Sequence, residues 1–168
     1  MAKSIIRLDH KFNDLVSVKY HDGTGYTAIQ NGRVLKLDGL VSGEREVFKG
    51  IAPTATTSDI VIVAGVELNT DESSLSKARL DEFENEAGVP FRAINPKNNV
   101  GKIFSVSDDA LVKLDTVSTV GSYVIIKANT ITLEEKASLG GTESFVGQII
   151  AKETVSGTTM AVIKIIKA

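Results

Sequence analysis

The chain has 168 residues, 42% apolar and 24% charged, which suits one folded domain, or one domain with a small appendage, and lies far from the polar, highly charged balance of a disordered chain. A formal charge of -2 and a pI near 5.7 argue against a phosphate-binding surface, which depends on clustered Lys and Arg, so direct contact with nucleic acid is not expected. The absence of Cys removes disulfides, thiolate metal sites and thiol nucleophiles together, and no apolar run reaches the roughly 18 to 20 residues of a membrane helix, so the sequence reads as a soluble protein made in the cytoplasm, with no membrane contact.

Eighteen Val, 16 Ile and 14 Thr fit pleated sheet, where a restricted χ1 costs little and branched side chains pack across strands. At the N-terminus Ile5, Ile6, Leu8 and Phe12 place apolar side chains in a short segment of mixed polarity. Two readings stand for it: an arm that adds as a strand to a neighbouring molecule, or the first strand of the protein's own fold. Residues 15–50 read as a β-meander with turns at Asp22-Gly23, Asn31-Gly32, Asp38-Gly39 and Ser42-Gly43. Asn31-Gly32 suits a type I′ turn and predicts a hairpin between residues 26–30 and 33–37. A further strand is expected over residues 44–49, then an exposed loop over 53–58 with a boundary near residue 55.

Residues 59–68 form an apolar, β-branched run too short for a membrane, as expected of a strand buried on both faces. Leu80, Phe83 and Ala87, extended by Leu75 and ended by Gly88 and Pro90, predict a helix over 75–87 that packs on a sheet. Ser107 ahead of Asp108 and Asp109 predicts a second, shorter helix leading into Leu111 and Leu114. Strands return at 123–127, 131–133 and 145–151, and a turn at Ser156-Gly157 makes 145–167 a closing hairpin. The expected fold is mainly β with one or two short helices (α+β): an N-terminal arm and β-meander over 1–55, then a β-rich domain over 56–168 built as a compact antiparallel C-terminal barrel or sandwich, the two forming separate domains or one.

Residues that carry chemistry are few and scattered. His10 and His21 each neighbour an aspartate, Asp9 and Asp22, yet their separation fits no ligand motif, and His21-Asp22-Gly23 reads most simply as a turn. Gly23-Thr24-Gly25 lacks the rest of a phosphate loop. Glu134-Glu135 point to opposite faces of a strand, and Asp108-Asp109 are explained as a helix start, so neither is expected to be a catalytic carboxylate pair. The cluster Asp81-Glu82-Phe83-Glu84-Asn85-Glu86 reads as a solvated helix face, because calcium loops need ligands that converge on a turn. No Gly-x-Ser-x-Gly elbow occurs. The expectation is a binding or structural module with no catalytic, cofactor or metal site.

Four segments carry a resemblance: Asp59-Ile60-Val61-Ile62-Val63-Ala64-Gly65-Val66-Glu67-Leu68; Leu80-Asp81-Glu82-Phe83-Glu84-Asn85-Glu86-Ala87-Gly88-Val89-Pro90-Phe91-Arg92-Ala93; Val100-Gly101-Lys102-Ile103-Phe104-Ser105-Val106-Ser107; and Phe145-Val146-Gly147-Gln148-Ile149-Ile150. Together they make the chain resemble the small structural proteins of tailed-bacteriophage heads, over about half its length. The resemblance implies a capsid decoration, or cement, protein on the outer surface of the virion. Its partner would be the major capsid protein, its state a homo-oligomer on the capsid or in solution, and its candidate contact arm Ile5, Ile6, Leu8 and Phe12. A tail-tube or other tail component is the competing virion reading. A carbohydrate-binding module is the rival from another class, and the absence of Trp and the presence of only three Tyr count against it.

Overall fold

A computed structural model describes residues 4–54, 59–66, 83–155 and 157–168. The protein is mainly β. Its strands are β1 (Ile6–Leu8), β2 (Leu15–Tyr20), β3 (Val34–Leu40), β4 (Val47–Ile51), β5 (Ile60–Val63), β6 (Phe91–Ile94), β7 (Ile103–Ser107), β8 (Leu111–Val112), β9 (Tyr123–Ile126), β10 (Leu133–Lys136), β11 (Val146–Val155) and β12 (Thr158–Lys167), with 3-10 turns at Pro96–Asn99 and Asp108–Ala110.

Five strands close into a barrel in the order β2-β4-β3-β5-β6, antiparallel except for the parallel pair β2 and β4. The other seven form one sheet in the order β1-β7-β12-β11-β9-β10-β8, in which only the short β8 runs parallel to its neighbour β10. Barrel and sheet meet through alternation of side chains along the barrel wall. Val61 and Val63 of β5 point into the barrel with Val18, Leu35, Phe91 and Ala93. Ile60 and Ile62 point the other way and join Val34 and Ile94 against Phe104, Val106, Ile149 and Ile163 of the sheet. So narrow a barrel leaves little room inside. Gly50 of β4 faces this interior, and a Cβ there would lie 2.7 Å from Val18 Cγ1 and 2.8 Å from Leu35 Cδ1, which accounts for glycine at a strand position.

Of the run 59–68, Ile60–Val63 form β5 and all four are buried, whereas Asp59 and Val66 are exposed and 67–68 lie outside the described residues; β11 with β12 makes the closing hairpin. Elsewhere the fold departs from what the sequence predicts. The closed barrel is built from strands between residues 15 and 94, on both sides of residue 55; residues 15–50 are not a simple meander, because β2 pairs in parallel with β4 and not with β3, and the C-terminal strands spread into a sheet. Asn31 and Gly32 do form a turn, with Gly32 at φ 78, but no strand precedes it, and β3 pairs with β4 and β5. Of the helix expected over 75–87, residues 75–82 lie outside the described residues, and 83–87 are not helical: Asn85 is extended and bridges Ile29. At Ser107 the side chain makes no cap hydrogen bond, and the segment completes one 3-10 turn before Leu111 and Val112 enter β8.

A buried amide explains two of these differences. Asn31 Oδ1 accepts from Gly65 N–H at 2.8 Å, and its Nδ2 donates to the Gly65 carbonyl at 3.1 Å, so one side chain satisfies Gly65 as a strand partner would. Asn85 Nδ2 donates to Asn31 Oδ1 and to the Ile29 carbonyl, each at 3.0 Å, and the Ser4 hydroxyl donates to the Asn31 carbonyl. Residue 31 thereby ties the barrel, the 83–86 segment and the N-terminal segment together. A Cβ on Gly65 would land on Asn85 Oδ1. Gly65→Ala is therefore expected to cost at least about 2 kcal/mol in chemical denaturation, since it displaces a buried amide whose Nδ2 makes two hydrogen bonds; a change under about 0.5 kcal/mol would contradict this packing.

Candidate interaction site

The loop between β8 and β9, residues 113–122, is held by two buried carboxylates. Glu135 lies on β10, where alternation sends Glu134 outward to Lys136 at 2.9 Å and turns Glu135 inward, leaving it 1% exposed. Its Oε1 accepts from Thr119 N–H at 2.8 Å and from the Ser122 hydroxyl at 2.6 Å, and its Oε2 accepts from Leu114 N–H at 3.2 Å. Asp108, 5% exposed in the 3-10 turn, accepts from Ser118 N–H through both oxygens at 3.3 and 3.2 Å. Lys113 Nζ lies 3.5 Å from Asp108 Oδ2 and 3.8 Å from Asp109 Oδ1.

A buried carboxylate is costly unless its lone pairs are filled, and a hydrogen bond to a charged group stabilises by about 1.5 to 3 kcal/mol. Here the filling donors are nearly all loop backbone, so burying Glu135 and Asp108 requires one loop conformation. The far end of the loop is fastened to β11: Gly121 N–H donates to the Ile149 carbonyl at 2.7 Å, and Ile149 N–H donates to the Ser122 carbonyl at 2.9 Å.

Held in this way, the loop turns apolar side chains to solvent. Leu114, Val117 and Val120 are 52%, 49% and 53% exposed, and Ile150, next to the Ile149 attachment, is also exposed. Fully burying a Val or Leu is worth about 1.5 to 3 kcal/mol, so covering these three half-exposed loop residues yields about 3 kcal/mol, less than the roughly 4 kcal/mol or more needed to join two free proteins. The loop suits a contact that is repeated or reinforced elsewhere. Its sequence signal is a Val at every third position within Asp115-Thr116-Val117-Ser118-Thr119-Val120-Gly121, apolar residues in a stretch of turn formers. The burial of Asp108 and Glu135 had no such signal, because it arises from pairing between β8, β9 and β10.

The N-terminal residues divide. Ile6 and Phe12 are buried in the shared core, Lys102 Nζ sits 5.6 Å from the centre of the Phe12 ring, and β1 pairs antiparallel with β7. Ile5 is half-buried, with its N–H donated to Ser107 Oγ at 3.0 Å, and Leu8 is exposed. Leu8 is thus the one of the four with a largely open side chain.

The histidines serve as acceptors, one long-range and one local: His10 Nδ1 takes the Ile103 N–H at 3.1 Å, and His21 Nδ1 takes the Gly23 N–H at 3.0 Å, with the His21 ring edge-on to Tyr26. Among the described residues no group of three or more His, Cys, Asp or Glu is placed to hold a metal. Asp81 and Glu82 of the acidic cluster lie outside the described residues, Glu84 and Glu86 are exposed, and Asn85 is buried.

Ser118 Oγ is buried without a hydrogen-bond partner. Ser118→Ala should therefore leave stability unchanged or raise it by up to about 1 kcal/mol in denaturant titration; a loss above about 1 kcal/mol would mean the hydroxyl is bonded. Asp22 offers a second test. Its carboxylate accepts first from the Thr24 backbone N–H, then from the Thr24 hydroxyl and the Gly25 N–H, and these bonds hold its pKa below the ordinary 3.8. A depressed folded value means the turn's stabilisation is present above the unfolded pKa and lost as pH falls through the folded one. An NMR titration should place the Asp22 midpoint below 3.8, and a midpoint at or above it would contradict the turn. Compared with known proteins, the chain matches no family model, no curated protein and no solved structure.

Proposed function

We propose that the chain is a virion structural protein: a decoration, or cement, protein that binds the outer surface of a tailed-phage capsid and stabilises contacts between major capsid subunits. The observation that carries this reading is the loop at 113–122, where two buried carboxylates fix a backbone whose apolar side chains stay outside the protein's own core. Surface apolar groups on a pre-ordered loop favour recognition, because the ordering cost is met during folding and not at the encounter. The shared core of barrel and sheet supplies the stiffness that a clamp between subunits needs. The head-protein resemblance of residues 59–68, 80–93, 100–107 and 145–150 supplies the partner.

On this reading the protein works by contact and not by catalysis. It is made in the host cytoplasm and ends on the capsid surface as a homo-oligomer, formed on the capsid or in solution and seated at symmetry-equivalent positions. A contact worth a few kcal/mol per copy then stabilises a whole shell, because every copy ties subunits already held in the lattice. Purified protein added to mature, expanded capsids that lack it is expected to bind to saturation and to raise the temperature at which they disrupt. Failure to bind any head form, or assembly of the protein alone into stacked tubes, would contradict the proposal.

A further inference from the structure

Resting on the decoration reading, we infer that the capsid contact is made by Leu114, Val117 and Val120, and that they enter an aliphatic recess bordered by Lys or Arg on the capsid subunit. The apolar part follows from geometry. The loop is fixed at three backbone points, Leu114 and Thr119 on Glu135 and Ser118 on Asp108, so the three side chains are presented in a set arrangement.

The rim follows from charge. With Asp108 buried, the charged groups that residues 108–120 show to solvent are Asp109, Asp115 and Lys113, a balance of -1. Lys113 is turned toward Asp108 and Asp109, which leaves Asp115 open beside the apolar residues. A second copy of the chain docked loop to loop would set acid against acid, and the apolar area is too small to offset that. A basic-edged partner meets the same surface with opposite charge. Glu135 is a positioning residue in this scheme, since it acts through the loop backbone.

The test measures binding of full-length protein to mature capsids, of the phage that encodes it, stripped of this protein. Val117→Asp with Val120→Asp should weaken binding about tenfold or more, while Val89→Asp, at an equally exposed valine outside the loop, should stay within about twofold of wild type. Asp115→Lys should weaken binding about fivefold, with the loss shrinking as salt is raised. Glu135→Gln sets an amide donor against one of the loop N–H groups. It should weaken binding and speed hydrogen exchange at Leu114 and Thr119, with a circular dichroism spectrum like that of wild type.

Wild-type protein that binds no head form defeats the decoration reading and this inference with it. Wild-type binding matched within about twofold by the double valine variant leaves the decoration reading intact and overturns this contact. Self-association of wild-type protein that the valine substitutions abolish would identify a second copy as the occupant, and so overturn it as well.

Discussion

Strand β5 is four residues long and has no side facing water, and the arrangement of the molecule depends on how it satisfies two cores at once. Val61 and Val63 fill the barrel, while Ile60 and Ile62, from the same wall, fill the space between barrel and sheet. A strand in this position cannot slip by one residue without exchanging its two side-chain sets, so its register against β3 and β6 also sets where the barrel sits on the sheet. The residue that leaves this strand's far end is equally constrained. Gly65 passes under Asn85 with room for no side chain, and Asn31 serves both of its backbone groups. Apolar layering sets the general placement, and the Asn31–Gly65–Asn85 node selects one connection among those that layering would allow.

The same division of labour recurs at the other end of the sheet. There the buried polar groups are carboxylates, and what they select is a loop. Glu135 shares a sheet face with Val124, its partner across the strands, yet it is retained in an apolar setting with three hydrogen bonds. Replacing such a group by a hydrocarbon often costs a protein nothing in stability, so its retention is better explained by the conformation it imposes. The conformation imposed here puts three aliphatic side chains into solvent, which is the opposite of what folding alone favours. Scaffold stiffness and loop presentation are thus one construction, continuous from β5 through the sheet to residues 113–122.

What could be read from the sequence follows the range of the forces involved. The doubly buried run at 60–63, the 47–49 part of the strand expected over 44–49 and the 146–167 hairpin depend on contiguous apolar residues and on local turns, and these are visible in order along the chain. Barrel closure depends on β2 meeting β4 in parallel and on β6 returning to β2, pairings between distant segments that leave no local pattern. At Asn31-Gly32 the turn was legible and its partner was not, because the amide is spent on Gly65 and Asn85, 34 and 54 residues away. Ser107-Asp108-Asp109 looked like a helix start for sound local reasons. Tertiary context took Asp108 into the core to hold Ser118, and pairing with β10 drew Leu111 and Val112 into a strand. Among the N-terminal residues, the apolar character of Ile6 and Phe12 was plain, but only the pairing of β1 with β7 shows that they belong to the protein's own core.

Barrel and sheet share one core through β5 and are therefore expected to unfold as one unit. Native-state hydrogen exchange measured amide by amide tests it directly. Protected amides of β5 and β3 in the barrel and of β12 and β7 in the sheet are expected to exchange through the same global opening, with free energies agreeing within about 1 kcal/mol and the same dependence on denaturant. Barrel amides that open several kcal/mol more readily than those of β12, with a smaller denaturant dependence, would show two separately folding bodies and contradict it.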